Sequence, residues 1–333
     1  MDTPPPEIID ALDRMHLLNG VVPTGEPLTG GVSSDIWRID LPNGPICIKR
    51  ALPKLRVNAD WQAPVERNIY EARWIRVASQ IVPHATPTLL GQDEATGTLA
   101  MTYLAADQYP LWKFQLRDGH VDVAFAGSVA ATLGRLHAAT AARPTLEQDF
   151  PTDAIFHDIR LEPYLTQTGR AHPDLAERMQ WLIQTTQTNK HALVHGDVSP
   201  KNILCGPNGP VFLDAECAWW GDPAFDLAFC LNHLLLKFLW VPNARRALLA
   251  SFHAMTASYL PLVDWEPAVA LETRAAHLLP ALLLARVDGK SPVEYITRDT
   301  QRDRVRIVAH RLLANPPDRL ADVARAWNEE IAE

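Results

Sequence analysis

Residues 195–216 constrain this chain more than any other stretch of its sequence. Asp197 is followed by Asn202 five residues later, and Asp214 comes twelve residues after Asn202. Short apolar runs on either side of a turn rich in Gly and Pro predict a β-hairpin between Asn202 and Asp214. Such a hairpin has Asn202 at the start of one strand and Asp214 at the end of the next, so the two side chains are expected to be neighbours.

The residue types in this segment match the needs of phosphoryl transfer from a nucleotide. One carboxylate has to orient the attacking hydroxyl group, and an amide and a second carboxylate have to hold the magnesium ion that bridges the phosphates. Asp197 follows His195-Gly196 and precedes Pro200, which is the composition of a loop and not of a helix interior. A polar turn above an ordinary hairpin is the alternative interpretation, but it does not explain why Asp, Asn and Asp occur together.

The bulk composition is that of an ordinary globular protein. The chain has 333 residues, of which 47% are hydrophobic and 21% charged, so it can bury a large core in one domain or two lobes. Its formal net charge of -8 argues against a nucleic-acid partner, because phosphate backbones are bound by clustered Lys and Arg. The acidic balance suits a small cationic substrate, and it equally suits solubility alone.

The cysteines and the apolar segments bear on the cellular compartment. None of the cysteines has the spacing of a CxxC pair or a zinc site, and buried free thiols in a reducing cytoplasm are predicted for Cys47, Cys205, Cys217 and Cys230. The first residues lack a basic start and an apolar core, so no signal peptide is predicted. The apolar stretch 229–241 is too short and too polar to span a bilayer, so no membrane partner is expected.

The hydrophobic pattern changes near residue 105, which is the predicted boundary between two lobes. Residues 1–105 are expected to be β-rich, with helices at 7–18 and 63–80 and strands at 34–41, 45–51, 86–93 and 98–104. Residues 106–333 show helical spacing over 121–141, 173–188, 223–240, 244–259 and 267–287. The charged end of the chain, 298–333, is predicted to be a solvated packing helix.

Lys49 is the candidate cation of the first lobe. In its predicted strand it points away from the apolar side chains, so it needs a counter-charge if its own face is covered. Glu71 projects from the inward side of the helix at 63–80 and is the natural partner, whereas Glu66 is the weaker candidate. The alternative for Lys49 is an exposed position on an edge strand.

A cluster of small residues precedes the first predicted hairpin. Such residues let backbone N–H groups approach an anion, and here they are Gly30, Gly31, Ser33 and Ser34. The spacing is not GxGxxG, and a plain turn is the alternative interpretation.

Two motifs resemble those of the aminoglycoside phosphotransferase and choline kinase superfamily. They are His195–Leu204 and Asp214–Ala228, and the resemblance extends over about residues 25–300. Gly134-Arg135-Leu136-His137 is similar to the Gly-x-Leu-His that ends a long helix in many members. The resemblance implies an α+β, bilobal protein-kinase-like fold, with a small β-rich N-terminal lobe (1–105) for the nucleotide and a larger helical C-terminal lobe (106–333) for catalysis and the acceptor.

The resemblance also implies a role for each matching residue. Asp197 would be the catalytic base, and the magnesium ligands would be Asn202 and Asp214. Lys49, paired with Glu71, would contact the α- and β-phosphates, and Asp226 would hydrogen-bond to the catalytic loop. Backbone cover for the phosphates would come from Gly30, Gly31, Ser33 and Ser34. The hinge beside the adenine would be formed by Met101, Tyr103 and Leu104. The implied cofactors are ATP, or another nucleoside triphosphate, and Mg²⁺.

Several positions depart from related patterns or allow two interpretations. Ser199 stands where protein kinases have a Lys, two residues after the base. Lys201 is either a solvated loop residue or a phosphate contact. Asp214-Ala215-Glu216 resembles the Asp-x-Glu of choline and methylthioribose kinases, and Glu216 is expected to touch the metal or the substrate. Trp219 and Trp220 either line the acceptor pocket or belong to the core.

These observations favour an ATP-dependent small-molecule O-kinase that transfers the γ-phosphoryl group to an alcohol or sugar hydroxyl. A nucleotide-binding pseudokinase is disfavoured because no key position is altered. An atypical protein kinase is disfavoured because only eleven residues separate Asp214 from Asp226, too few for an activation loop. The identity of the hydroxyl acceptor stays open, as does the oligomeric state, and segment 286–292 is expected near the acceptor pocket.

Overall fold

An antiparallel sheet forms the N-terminal part of the molecule. The computed structural model describes residues 2–28, 34–52 and 64–332, and the sheet has the strand order β1-β2-β3-β5-β4. Its strands are β1 (Thr24–Pro27), β2 (Ser34–Leu41), β3 (Gly44–Ala51), β4 (Leu89–Asp93) and β5 (Thr98–Thr102). The tight turn between β2 and β3 uses Gly44 at a φ of 110°, a conformation that favours glycine.

The two faces of this sheet pack against different helices. On one face, Ile48 of β3 shares a core with Ile8 and Leu12 of α1 (Pro6–Arg14). On the other face lies α2 (Arg67–Ile81). Because side chains alternate along a strand, Lys49 is directed toward α2 and is buried there.

Helices make up most of the remaining chain. The long ones are α4 (Val123–Ala141), α7 (Ala176–Thr188), α8 (Pro223–Trp240), α9 (Arg245–Tyr259), α10 (Ala268–Asp288), α11 (Asp299–Ala314) and α12 (Leu320–Ala332). The short ones are α3 (Trp112–Arg117), α5 (Asp153–Phe156) and α6 (Gln167–Ala171), and a π-helix joins α5 to α6 over His157–Thr166. Two small sheets frame residue 197: β6 (Ala192–Val194) pairs with β9 (Trp219–Gly221), and β7 (Ile203–Gly206) pairs with β8 (Gly209–Phe212).

α8 lies at the centre of the helical part. All but the last of its side chains are buried, including the polar Asn232, His233 and Lys237. Both α9 and α10 pack against it. By length and composition alone α10 could cross a membrane, but 61% of its most apolar window is buried inside the protein, as in a core helix.

The β2–β3 hairpin, the β7–β8 hairpin and the long helices between residues 121 and 288 follow the sequence predictions closely. Residues 298–333 are helical as predicted, but they form two helices, α11 and α12, and Val305, Val308 and Trp327 are fully buried, so the stretch is less solvated than expected. Charged residues cover one side of each helix and conceal the apolar stripe that faces the core. The predicted boundary near residue 105 lies between β5 and α3 and stays a prediction.

The prediction for the cysteines needs a partial correction. All of them are free thiols, and Cys217 and Cys230 are buried as expected. Cys47 and Cys205 are only half-buried. Their strands, β3 and β7, are not fully enclosed at these positions.

Candidate active site

A carboxylate beneath the loop holds the backbone around Asp197 in place. Asp226, in the first turn of α8, accepts hydrogen bonds from the backbone N–H groups of His195 at 2.7 Å and Gly196 at 2.8 Å. Gly196 has a φ of 79°, and a Cβ there would lie 2.6 Å from the carbonyl oxygen of Cys217, so a larger residue does not fit. The position of Asp197 is therefore set by the start of α8.

His137 connects the same carboxylate to the helical core. It is fully buried on α4, and its Nε2 lies 3.3 Å from Asp226 Oδ2. Its Nδ1 lies 2.6 Å from the hydroxyl oxygen of Tyr259 on α9. The Gly-x-Leu-His segment thus has a structural reason in this chain, because its histidine connects α4 to α8 and α9 beneath the Asp197 loop.

His195 orients Asp197 through the backbone. Burial lowers the pKa of His195 in spite of the nearby Asp226 charge, so the imidazole is neutral at pH 7. A neutral ring has one acceptor nitrogen, and Nδ1 accepts the Asp197 N–H at 3.1 Å. The ring also meets Trp74 edge-on, with the ring centres 4.8 Å apart.

The β7–β8 hairpin brings Asn202 and Asp214 together as predicted. The N–H of Leu213 donates to the carbonyl oxygen of Asn202 at 2.8 Å. The Asn202 side chain donates through Nδ2 to the carbonyl oxygen of Asp197 at 3.1 Å, which leaves its Oδ1 as the atom for a ligand. Asp214 has a φ of 67°, a left-handed conformation that non-glycine residues seldom adopt outside functional sites.

This donor set fits a hard cation such as Mg²⁺. A carboxylate of Asp214 and an amide oxygen of Asn202 are the ligand types that Mg²⁺ prefers. Among the described residues, no three His, Cys, Asp or Glu side chains are grouped to hold a metal ion by themselves. Mg²⁺ commonly takes one or two protein ligands and completes its shell with phosphates and water, so the sparse set agrees with a nucleotide-dependent site.

Lys49 joins the two parts of the molecule. Its Nζ lies 2.7 Å from Glu71 Oε2, the predicted partner, and it also contacts Asp214 Oδ1. Burial raises the pKa of Glu71 and the Asp214 charge adds to the rise, although the Lys49 ammonium opposes both. Burial would raise the pKa of Asp214 too, but Lys49 and Lys201 hold it well below its usual range. The weaker candidate, Glu66, is exposed.

Glu216 has a partner that the sequence interpretation missed. Arg67 on α2 is fully buried, and its Nε lies 2.8 Å from Glu216 Oε2. The same guanidinium donates to the carbonyl oxygens of Leu52 and Pro64, each at 2.8 Å. Arg67 therefore connects the segment before α2 to the segment after Asp214. The ion pair fixes the position of the Glu216 carboxylate.

Arg160 is the second residue that the interpretation missed, and it contacts Asp197 directly. Its Nη2 lies 2.8 Å from Asp197 Oδ2, and its Nε donates to the carbonyl oxygen of Gly196. The side chain is buried on the π-helix, a rare geometry that is frequent at functional sites. The available signal was weak, an arginine between the apolar Ile159 and Leu161.

Lys201 lies on the same carboxylate oxygen. Its Nζ is 3.1 Å from Asp197 Oδ2, and half of its side chain is exposed. Burial would lower the pKa of Lys201, but the charges of Asp197 and Asp214 raise it above the usual value. Lys201 is thus partly solvated, and its ammonium lies on the Asp197 carboxylate.

Comparison with known proteins identifies the family. A model described as a phosphotransferase enzyme family matches residues 24–267, more than half of the chain. The chain belongs to this phosphotransferase family. Methylthioribose kinase from Bacillus cereus strain AH187 is 24% identical over 250 residues, which cover 67% of this chain and 63% of that protein. The chain therefore matches less than two thirds of that relative's length.

Solved structures show the protein-kinase-like fold in this phosphotransferase family member. Choline kinase from Cryptosporidium parvum Iowa II has a TM-score of 0.57 at 13% identity, covering 92% of this chain and 96% of that chain. Amicoumacin kinase hAmiN, solved with AMP-PNP, Ca²⁺ and Ami, has a TM-score of 0.54 at 14% identity, covering 96% and 98%. The α+β, bilobal fold expected from the sequence is confirmed by these similarities.

The structure assigns both tryptophans after the metal motif to the core. Trp219 is 1% and Trp220 4% exposed, and both lie in β9. Trp219 stacks on Phe156 with ring centres 4.2 Å apart, and its Nε1 donates to Asp153 at 2.7 Å. Of the two interpretations, acceptor pocket or core, the burial of both rings favours the core.

Several of the remaining predicted residues lie in or next to the five-stranded sheet. Met101 is buried in β5, and Tyr103 and Leu104 follow that strand as a half-buried connection toward α3. Ser34 and Ser199 are buried, and the Oγ atom of each has no hydrogen-bond partner among the described residues. Other members of the predicted phosphate cover lie outside the described residues, namely Gly30, Gly31 and Ser33.

Proposed function

We propose that this protein is an ATP-dependent kinase of a small molecule, transferring the γ-phosphoryl group to a hydroxyl oxygen. One observation supports the proposal most strongly. On the sheet side, Lys49 is held by Glu71 and contacts Asp214. On the loop side, Asn202 bonds to the Asp197 backbone and accepts from Leu213, the residue before Asp214. The expected parts of a phosphoryl-transfer site are thus linked to one another by direct contacts.

The arrangement suggests how Asp197 acts. Arg160 and Lys201 both lie on its Oδ2, so Oδ1 is the oxygen that can accept the hydrogen bond of an acceptor hydroxyl. During transfer the acceptor oxygen bonds to the γ-phosphorus, the bond from phosphorus to the β,γ-bridging oxygen breaks, and ADP leaves with that electron pair. The hydroxyl proton passes to Asp197. Positioning and charge neutralisation supply most of the rate in such reactions.

Asn202 Oδ1 and the Asp214 carboxylate are the groups that would hold Mg²⁺, which would neutralise the negative charge on the phosphates. Glu71 keeps the Lys49 ammonium at the same place, so Lys49 is available for the α- and β-phosphates. Lys201, at the open side of the site, is the proposed contact to the transferred phosphoryl group. It takes the part that a lysine at position 199 would have in a protein kinase.

The segment after Asp214 bears on the acceptor class. β9 and the N-cap of α8 occupy the residues between Asp214 and Asp226. Packed structure of this kind leaves no room for the long activation loop that protein kinases use. The relatives named for methylthioribose, choline and amicoumacin all act on small molecules according to their names, and this supports a small hydroxylated acceptor here.

A coupled ADP-release screen over hydroxyl-bearing compounds tests the proposal. We expect Mg²⁺-ATP to raise the melting temperature and at least one acceptor to release ADP stoichiometrically with product. Asp197→Asn is the control, because it should bind nucleotide but not turn over. A chain that shows no nucleotide-dependent thermal shift and no ADP release with any acceptor is not a kinase.

A further inference from the structure

A line of side chains on α8 leads away from the catalytic base. Phe229, His233 and Lys237 follow one another at intervals of four residues, so they lie on one face of the helix. The Arg160 guanidinium, which binds Asp197, lies 5.8 Å from the centre of the Phe229 ring. The Phe229 and His233 ring centres are 5.5 Å apart. Since a helix rises 1.5 Å per residue, His233 and Lys237 lie roughly 6 and 12 Å beyond Phe229.

Arg286 on α10 approaches the same line from the opposite side. Its Nη1 donates to the Tyr164 hydroxyl at 3.0 Å, and the Tyr164 ring centre lies 5.5 Å from that of Phe229. The positive charges of Arg286 and Lys237 both act on His233. We call Lys237, His233 and Arg286 the cationic cluster.

The cationic cluster is buried, and the protein leaves some of its polar atoms unsatisfied. Lys237 is 1% exposed, His233 6% and Arg286 7%. Lys237 Nζ, His233 Nε2 and Arg286 Nε have no hydrogen-bond partner among the described residues. The Trp240 and Tyr295 rings lie 4.8 and 4.6 Å from Lys237 Nζ, and they offset part of the cost of burying the ammonium.

The neighbouring carboxylates are already engaged by other cations. Glu294 binds Lys113, and Asp288 binds Arg306 at 2.6 Å. Burial, reinforced by the charge of Lys113, lowers the pKa of Lys237 to about 8. Within the described chain, Lys237 and Arg286 thus form no ion pair. A buried ammonium without a counter-charge is costly, and a bound anion would remove the cost.

We propose that the cationic cluster binds a carboxylate or phosphate group of the acceptor while the acceptor's hydroxyl lies at Asp197. The inference rests on the proposed kinase function and names its substrate class as hydroxylated acids or phosphorylated polyols. Lys237 and Arg286 Nε supply charge-assisted hydrogen bonds, and His233 supplies a neutral one. A cationic amino alcohol would meet like charge in this place, which disfavours choline-like and aminoglycoside acceptors.

The test is an ADP-release screen in which each carbon skeleton is offered in several charge states. A six-carbon set consists of sorbitol, glucosamine, gluconate and glucose 6-phosphate, and other skeletons follow the same scheme. We expect the highest kcat/KM for a carboxylate or phosphate member, and the comparison of these two members identifies the anion. A best substrate that is neutral or cationic overturns the proposal while leaving the kinase function intact.

Lys237→Met separates recognition from folding. Methionine fills the space of the lysine stem without burying a charge, so the melting temperature should stay the same or rise. The KM for the anionic acceptor should rise at least tenfold, as for loss of a hydrogen bond to a charged group, with the KM for ATP unchanged. Lys190→Met is the matched control, because Lys190 is paired with Asp153 at 2.6 Å outside the cluster. An unchanged acceptor KM, or a clear loss of stability with Lys237→Met, assigns Lys237 a structural role instead.

A binding measurement covers the case in which no library compound is turned over. Gluconate and glucose 6-phosphate are added to the enzyme in Mg²⁺-ADP, and the melting temperature is recorded for the wild type and Lys237→Met. An anion-dependent rise that is lost in the variant supports the proposal. No rise with any anion, in an enzyme that does bind Mg²⁺-ADP, counts against it. An enzyme that fails to bind Mg²⁺-ADP instead contradicts the proposed kinase function.

Discussion

Two of the buried charged groups among the described residues differ in how the protein neutralises them. Around the catalytic loop, every cation that we describe has a carboxylate partner: Lys49 with Glu71 and Asp214, Arg160 with Asp197, and Arg67 with Glu216. In the cationic cluster, Lys237 and Arg286 have none among the described residues. The first group is complete as a structure, whereas the second is complete only when an anion is bound.

The difference has an energetic meaning. A matched buried pair recovers much of the desolvation cost of its charges, and it fixes geometry because each partner holds the other. An unmatched buried ammonium recovers little of that cost and lowers the stability of the fold. A chain that keeps such a residue gives up stability for some other benefit, and binding of a charged ligand is the benefit that fits the location.

The comparison also shows how little the net charge says about the substrate. The formal net charge of -8 is compatible with a cationic substrate or with solubility alone. The local charge along α8 has the opposite sign, and it is confined to buried positions that the sum over the surface does not reveal. Local charge at the site, and not the total, therefore guides the choice of acceptor.

The largest effect is expected from Asp197→Asn, which removes the base from the matched group. The kcat should fall by about 10²–10⁴-fold, the usual contribution of general acid–base catalysis, with the KM for ATP nearly unchanged. Steady-state kinetics on an acceptor from the screen measures this, with Asp322→Asn on α12 as the control. Retention of full kcat by Asp197→Asn would show that another group accepts the proton.

The next largest effect is on stability, and it tests whether Lys49 neutralises the buried carboxylates of Glu71 and Asp214. Lys49→Met leaves Glu71 buried beside Asp214 without a cation, so the free energy of unfolding should fall by roughly 3 kcal/mol. Urea denaturation monitored by circular dichroism measures it. Removing the carboxylate as well, in Lys49→Met/Glu71→Met, should restore more than half of the loss. If the double variant is less stable than Lys49→Met, the pair does not act as a unit.

Arg160→Met tests the matched pair that the sequence did not reveal. Loss of the guanidinium frees Asp197 Oδ2 and the Gly196 carbonyl oxygen, so the base becomes less well oriented and kcat should fall roughly 10–100-fold. Arg160→Lys should recover part of kcat, because lysine keeps the positive charge but lacks the several N–H donors of the planar guanidinium. Arg302→Met, on the exposed side of α11, is the control. An equal loss of nucleotide affinity with kcat preserved would contradict a positioning role.

The parts of the site that could be predicted from the sequence are those encoded by short spacing. Asp197, Asn202 and Asp214 belong to one loop and one hairpin, so residue type and separation alone predict their proximity. The Lys49–Glu71 contact joins a strand to the next helix, and alternation in β3 with helical periodicity in α2 was sufficient to predict it. The helices between residues 121 and 288 were predictable because their apolar residues repeat at helical spacing.

The parts that could not be predicted depend on contacts between distant segments. Arg67 lies 149 residues before Glu216, and no local pattern distinguishes it from a surface arginine. Arg160 reaches Asp197 from a π-helix, whose spacing differs from the helical period used to interpret the sequence. In the sequence, His233 and Lys237 only interrupt the apolar stretch 229–241, and their importance depends on the position of α8 in the core.

The smallest expected effect is a pH dependence of the acceptor KM, which arises from titration of Lys237 in the cationic cluster. Because the pKa of Lys237 is lowered to about 8, the ammonium is charged below that pH and loses its proton above it. The KM for a carboxylate acceptor should therefore be constant below pH 8 and rise above it, by at most about tenfold per pH unit.

Three neighbouring groups do not titrate in this range. Asp118 raises the pKa of Arg117, the hydrogen bond from Lys113 lowers the pKa of Glu294 in spite of burial, and burial raises the pKa of Tyr295 far above the range. Measuring acceptor KM from pH 6.5 to 9.5 for the wild type and Lys237→Met tests the expectation, since the variant should give a flat profile. Parallel profiles in the two proteins would assign the pH dependence to the matched catalytic group and remove Lys237 from acceptor binding.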